Sequence, residues 1–372
     1  MATSTLSSVP YVDLARQHAA LKAELMEAIG GVIDRGTFIL GPEVERFEQE
    51  FASLCGTKFA VAVNSGTDAI ILSLRYAGVG PGDEVITAPN SFVASASSIA
   101  LVGATPVFAD VRDDLNIDPD RIEAAITPRT KGIVPVHLTG RPCAMDRIMD
   151  IAARHKLAGV DDSAQAVLAA YKGRPVGSWG HFGCFSLHPL KTLNAIGDGG
   201  VITTSDAEAA ESLRHLRNIG LRTRDDCVVW SGNSRLDSLQ AAVLLVKLKY
   251  LRAWTEKRRE NAAYYRTRLA DVKQVSVPAD RPEEYAVYHT CVIQADRRDE
   301  LRAFLAERGI GSAIHYPVPI HFARAARDLG YAAGAFPVTE RQSQRILSIP
   351  VFPELTSAEL DAVVSAIREF YA

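Results

Sequence analysis

The chain holds 372 residues, 47% hydrophobic and 23% charged, with a formal net charge of −3. That length allows a large α/β core with a smaller second domain, and the composition is ordinary for a soluble globular enzyme. The near-neutral balance gives no electrostatic reason for binding nucleic acid or an anionic membrane.

Five cysteines (Cys55, Cys143, Cys184, Cys227 and Cys291) are odd in number and lack CxxC spacing. The set argues against a disulfide framework or a zinc site and fits a reducing cytosol, so no metal is expected. The N-terminus lacks a basic region followed by an apolar one, and no apolar run reaches membrane-spanning length. A soluble cytoplasmic protein is expected.

In chain order, 13–34 carries Leu14, Leu21, Leu25, Ile29 and Val32 near helical spacing. Residues 36–42 break that helix, and Pro42 opens a second over 43–55, where proline is tolerated. A short apolar strand, 59–63, runs into Asn64-Ser65-Gly66-Thr67-Asp68 and a helix over 69–76. Strands at 84–88, 106–109, 132–136 and 159–161 then alternate with helices at 92–101, 119–125 and 145–155. Such alternation predicts an α/β fold, a mainly parallel sheet between helices, with ligands beyond the carboxyl ends of the strands. Ser65–Thr67, the Pro89–Phe92 turn, His137, Asp162 and Ser186 each follow a strand.

The stretch FGCFSLHPLKTLNAIGDGGVITT, 182–204, is the centre of the pattern. A strand at 182–185 delivers Ser186 and His188, Lys191 follows, and a glycine-rich turn leads into a strand at 201–204. A lysine between two strands, beside glycines that let backbone approach a ligand, suits a Schiff-base nucleophile. Beyond it, 207–218 reads as a helix, 220–233 as a polar loop and 236–254 as one long helix. A charged helical stretch continues to Arg268. An α+β region follows, with strands at 289–293 and 311–315 and helices at 299–308 and 357–370. The domains are placed at 1–36 (arm and helix), 37–250 (large) and 251–372 (small C-terminal).

Each candidate has a plain structural counterpart. Ser65, Gly66 and Thr67 form a phosphate cup or an ordinary helix cap. Asp161 and Asp162 point to opposite sides of a strand. One of them suits a protonated pyridine nitrogen, with Gln165 beside a phenolate oxygen, while the other caps the following turn. Phe92 stacks on an aromatic cofactor or sits in the core. Asn233 reaches a phosphate or caps the next helix. His188, Tyr316 and His321 contact substrate or serve structure.

Taken together, NSGTDAI, VDDSAQA, FSLHPLK, GDGG, LRNIG and GNSRLDSLQAAVL resemble the DegT/DnrJ/EryC1/StrS family of sugar aminotransferases. VPYVDLARQ, FILGPEVERFEQEFA and HYPVPIHF extend the resemblance over nearly the whole chain. It implies the type I fold around pyridoxal 5′-phosphate, with pyridoxamine 5′-phosphate as the alternate form. It implies that Lys191 is the Schiff-base lysine and proton shuttle, that Asp162 holds the pyridine nitrogen, and that Gln165 lies near O3′. Ser65, Gly66, Thr67 and Ser186 match the phosphate cup, and Phe92 the stacking aromatic. Asn233 matches an asparagine reaching the phosphate from a partner subunit, which implies a homodimer with shared sites.

A lysine rather than histidine at 191 favours transamination over dehydration. The form around Asn233 looks like members acting on 3-keto nucleotide sugars. Val167-Leu168-Ala169 and Leu187 depart from the family pattern and are expected to reshape the substrate pocket. The expected reaction moves nitrogen from L-glutamate to a nucleotide-linked keto-deoxysugar, dTDP-linked at C3. The alternatives are a keto-cyclitol aminotransferase, an aminohydroxybenzoate synthase-like enzyme, or a non-catalytic regulatory homologue.

Overall fold

The computed structural model describes residues 8–372. The start of the arm assigned to 1–36 therefore lies outside the described residues. Seven strands form the central sheet, in the order Phe59–Val63, Gly200–Thr204, Phe182–Ser186, Ala158–Asp162, Thr130–Val134, Glu84–Thr87, Thr105–Phe108. Only Gly200–Thr204 runs against its neighbours.

Alternation along the strands sends side chains to two separate cores. On Phe59–Val63, Ala60 and Ala62 join Phe47, Phe51, Phe185 and Leu244 on one face. Val61 and Val63 join Leu74, Val160, Ile202 and Leu213 on the other. The Phe51 and Phe185 rings meet edge-on at 5.0 Å. Truncating either to alanine costs about 3–5 kcal/mol, because a close-packed interior does not collapse onto the void.

The helices are punctuated as their sequences require. Asp13 accepts from the Arg16 amide at 2.9 Å to start Leu14–Arg35, and Gly36 ends it at φ +68°. Pro42 begins Pro42–Cys55 at a position that needs no amide. Thr356 and Glu359 form a reciprocal cap on Ser357–Tyr371.

A third core belongs to the C-terminal part. Tyr265, Leu301, Leu305, Val363 and Ile367 pack around a three-stranded antiparallel sheet of Val275–Ser276, Cys291–Ala295 and Ile346–Ile349. Val9 enters this core and bridges Ile310, tying the start of the described chain to the C-terminal part.

Two expectations are corrected here. The single helix over 236–254 is two, Ser238–Leu248 and Leu251–Arg268, which meet at Lys249-Tyr250. The apolar periodicity runs on across that junction, which hides the break. The strand expected at 311–315 is not formed. Ala313 makes only an isolated bridge to Ser348, and the paired strand is Ile346–Ile349, whose apolar run is too short to stand out.

Candidate active site

Strand carboxyl ends converge on a cavity of about 390 Å³. Ser65, Gly66, Thr67, Phe92, Asp162, Gln165, Ser186, His188, Lys191 and Tyr316 all line it. Three predicted residues do not. His137 is fully buried, its Nδ1 accepting from the Cys143 amide at 3.0 Å. Asn233 is exposed on the loop before Ser238–Leu248, away from the cavity of its own chain. His321 is buried among Phe322 and Phe336, with Nε2 3.3 Å from the Glu340 carboxylate. Its proximity in sequence to Tyr316 does not bring it into the cavity, because the short 3-10 turn Ile320–Phe322 carries it into a separate apolar cluster.

The two aspartates diverge as alternation requires. Asp162 faces the cavity, its carboxylate accepting from Ser95 Oγ at 2.7 Å and from the Ala164 amide at 3.2 Å. Ser91 donates in turn to Ser95 at 3.0 Å. Burial raises the Asp162 pKa, opposed by Ser95, Ala164 and the charge of Lys191. Asp161 turns the other way and accepts from the Gly180 amide at 3.2 Å, with burial pushing its pKa up to about 7.

Lys191 lies across from Asp162. Burial lowers its pKa to about 8, and Asp162 opposes that shift. A neutral fraction at physiological pH makes the amine a competent nucleophile. Its loop is held from below, since Asn194 donates to the Lys191 carbonyl at 3.0 Å. Asn194 is itself gripped by the buried Lys247, whose ammonium also meets His18 Nε2 at 2.9 Å.

Opposite the sheet, Gln165 accepts from the Thr139 amide at 2.7 Å and donates to the Tyr316 hydroxyl at 3.3 Å. Phe92 is 52% exposed, so it is not a core side chain, and it tilts against Tyr316 at a ring distance of 5.6 Å. The expected pocket effect of the departures at 167–169 and 187 is not found. Val167, Ala169 and Leu187 are fully buried in the core behind the sheet, and Leu168 packs against the same core.

At the first strand end, Ser65 caps Gly66–Tyr76 by accepting from the Asp68 amide at 3.1 Å. That cap leaves the Gly66 and Thr67 amides at a helix N-terminus that borders the cavity, an arrangement suited to a phosphate. A side chain at Gly66 would put its Cβ 2.7 Å from Ser186 Cβ. One at Gly200 would lie 2.3 Å from the Ser65 carbonyl oxygen. Two glycines thus keep the cup open while three strand ends close around it.

Residues 19–368 match the DegT/DnrJ/EryC1/StrS aminotransferase family. The chain belongs to that family. It is 43% identical to dTDP-3-amino-3,4,6-trideoxy-alpha-D-glucose transaminase of Streptomyces venezuelae, over 97% of this chain and 96% of the relative. It is 44% identical to the pleiotropic regulatory protein of Geobacillus stearothermophilus, over 98% of this chain and 99% of that one. The solved structure of S. venezuelae DesV, in complex with a ketimine intermediate, superposes with a TM-score of 0.96 at 43% identity, covering 98% of each chain.

The aminotransferase is dependent on pyridoxal phosphate, and solved relatives include both the pyridoxal and pyridoxamine phosphate forms. The residues present fit that group: an amide-rich cup for a phosphate, a buried carboxylate for a pyridinium, and an amine for a carbonyl carbon. When bound, the cofactor supplies an electron sink that acidifies a carbon-bound proton of the substrate. The Asp162 carboxylate, its direction fixed by Ser95, would hold a pyridinium nitrogen. Lys191 Nζ, the amine of this cavity, would supply the base for that proton.

Among the residues that the sequence reading missed, Tyr11, Ser95, Arg258, His289 and Thr290 border the cavity. Ser95 lies one helical turn past Ser91 and carries no motif signal. Arg258 sits in a strongly charged helix that reads as solvated. Among the described residues no helix is long and apolar enough to cross a membrane, and no group of acidic, histidine or cysteine side chains is suited to a metal ion.

Proposed function

We propose that this enzyme transfers an amino group from L-glutamate to a dTDP-linked 3-keto-deoxyhexose, producing an amino sugar. The carrying observation is the cavity that gathers Lys191, Asp162 and the Ser65–Thr67 cup, in a chain 43% identical over nearly its full length to a dTDP-amino-sugar transaminase. In this reading Lys191 is the Schiff-base lysine and Asp162 holds the pyridinium. Gln165 lies at O3′, Phe92 and Tyr316 cover the ring, and Ser65, Gly66, Thr67 and Ser186 hold the phosphate. His188 lies at the cavity mouth, where substrate enters.

The reading includes a homodimer. Asn233 is exposed outside its own cavity, as an asparagine serving a partner's phosphate would be. Phe38, Ile39 and Trp230 expose apolar surface consistent with a covering partner. Within the chain, the large domain ends near the junction at Lys249-Tyr250, and the third hydrophobic core supports a separate small domain beyond it.

The test is an absorbance titration. L-glutamate should bleach the cofactor band of the wild type, the keto-sugar nucleotide should restore it, and Lys191→Ala should show neither change. A keto sugar that works equally well without its nucleotide would point to the cyclitol class. A second reading, a regulatory homologue, is favoured by the 44% match to a pleiotropic regulatory protein. Failure of every amino donor to bleach the band would select it.

A further inference from the structure

The cavity wall facing Lys191 is built from the other half of the chain, and its polar groups are incompletely satisfied. Arg258, on the helix Leu251–Arg268, is only 7% exposed yet borders the cavity. Its Nη1 donates to the Tyr288 and His289 carbonyls at 3.4 and 3.2 Å. Its Nε is buried with no partner, and no carboxylate among the described residues comes within ion-pair distance. Glu354 and Tyr11 act on it only through space, and burial lowers its pKa to about 10.

The same wall carries two further unpartnered groups, Thr290 Oγ1 and His289 Nδ1. Both residues border the cavity, and Thr290 is 5% exposed. Lys191 and Arg258 both act electrostatically on His289, which places the wall within range of the reacting lysine. A buried guanidinium without a counter-ion is unfavourable on its own, and its flat, forked donor set matches a carboxylate. An aminotransferase must seat an amino donor, and an α-amino acid brings a carboxylate with it.

We infer that Arg258 and Thr290 form the subsite for a carboxylate of the amino donor, on the wall opposite the sheet. This rests on the proposal that the donor is an amino acid such as L-glutamate. A nucleotide diphosphate is a worse occupant of this position, because Val351 and Phe352 make the surrounding wall apolar. The bland alternative is that Arg258 merely clamps the Tyr288 and His289 carbonyls.

Two measurements on the holoenzyme separate these roles. Glutarate, a dicarboxylate without an amine, is titrated calorimetrically into wild type, Arg258→Gln, Arg258→Lys and Thr290→Val. The donor half-reaction is then compared for L-glutamate, its α-amide and its γ-amide. We expect Arg258→Gln to weaken glutarate at least ~10-fold, with Arg258→Lys intermediate. The wild-type preference for L-glutamate over one amide should collapse toward unity in Arg258→Gln, and that amide identifies the carboxylate bound.

A structural clamp would lower all three donors alike and leave their ratio intact; that result, or unchanged glutarate affinity, overturns the inference. So does a selective loss of dTDP binding in Arg258→Gln, or a wild type that binds no glutarate. If Arg258→Gln does not fold, Arg258→Lys and Thr290→Val are read by the same ratios. Arg258-dependent glutarate binding in an enzyme inert to L-glutamate would sink the donor proposal while leaving the subsite standing.

Discussion

Lys247 holds Asn194, and through it the loop that carries Lys191. The Lys247 ammonium meets three acceptors, the Asn194 backbone and side-chain oxygens and His18 Nε2, so Asn194 can turn its amide nitrogen only toward Gln17 and the Lys191 carbonyl. Lys247→Met would strand these acceptors in the interior. We expect a loss of about 1–3 kcal/mol in denaturant unfolding. Burial lowers the Lys247 pKa to about 8 in the folded chain, below its unfolded value. The unfolded chain therefore binds more protons between about pH 8 and 10.5, and folding stability gains with pH in that window. Relative to Lys247→Met, the wild type should gain stability on going from pH 8 to 10, and a flat difference would contradict the assignment.

Lys191 makes a kinetic prediction. With its pKa lowered to about 8 by burial, the apoenzyme should capture pyridoxal phosphate faster as pH rises toward 8, then level off. Asp162 raises that pKa against burial. Asp162→Asn should therefore move the midpoint to lower pH, while turnover falls by ~10²–10³. Stopped-flow absorbance reads the first effect independently of the second.

The Ser95 hydroxyl is the shortest contact to the Asp162 carboxylate that the cavity offers. Ser95→Ala leaves the charge but frees its direction, at a cost of about 1.5–3 kcal/mol for a hydrogen bond to a charged group. Turnover should fall by ~10–100-fold with the fold intact, read as kcat beside a melting curve that stays cooperative and shifts by only a few degrees. Ser95→Thr, which restores the hydroxyl, should recover part of it.

Gly66→Ala drives a methyl to 2.7 Å from Ser186 Cβ. Relief requires widening the cup, costing about 1–3 kcal/mol. Equilibrium dialysis of pyridoxal phosphate should show affinity reduced ~10-fold or more. An unchanged affinity would mean that the cup does not hold the phosphate.

The large sheet was legible because its strands are short apolar runs set between helices of regular period. Alternation put Asp161 and Asp162 on opposite sides, the family resemblance chose Asp162, and the structure turns only Asp162 into the cavity. What escaped was side-chain convergence from distant segments. Arg258 and Tyr11 reach the cavity from a charged helix and the N-terminal segment, with no local pattern to announce them. His321 failed in the opposite way: it follows cavity-lining Tyr316 by one short turn, yet that turn carries it into an aromatic cluster. The small sheet was misread because Ile346–Ile349, not the 311–315 segment, pairs with Cys291–Ala295.

The reversed strand Gly200–Thr204 sits between Phe59–Val63 and Phe182–Ser186, and its first residue packs on the Ser65 carbonyl. During synthesis the ribosome therefore releases the first strand of the sheet long before the strand it must pair with exists. The nascent chain cannot assemble a phosphate cup until Thr204 has left the exit tunnel, so the cofactor cannot template the folding of the earlier half. Helices packed on the early strands must shelter that half while it waits, and an N-terminal fragment ending before residue 200 should expose an unpaired strand edge prone to self-association.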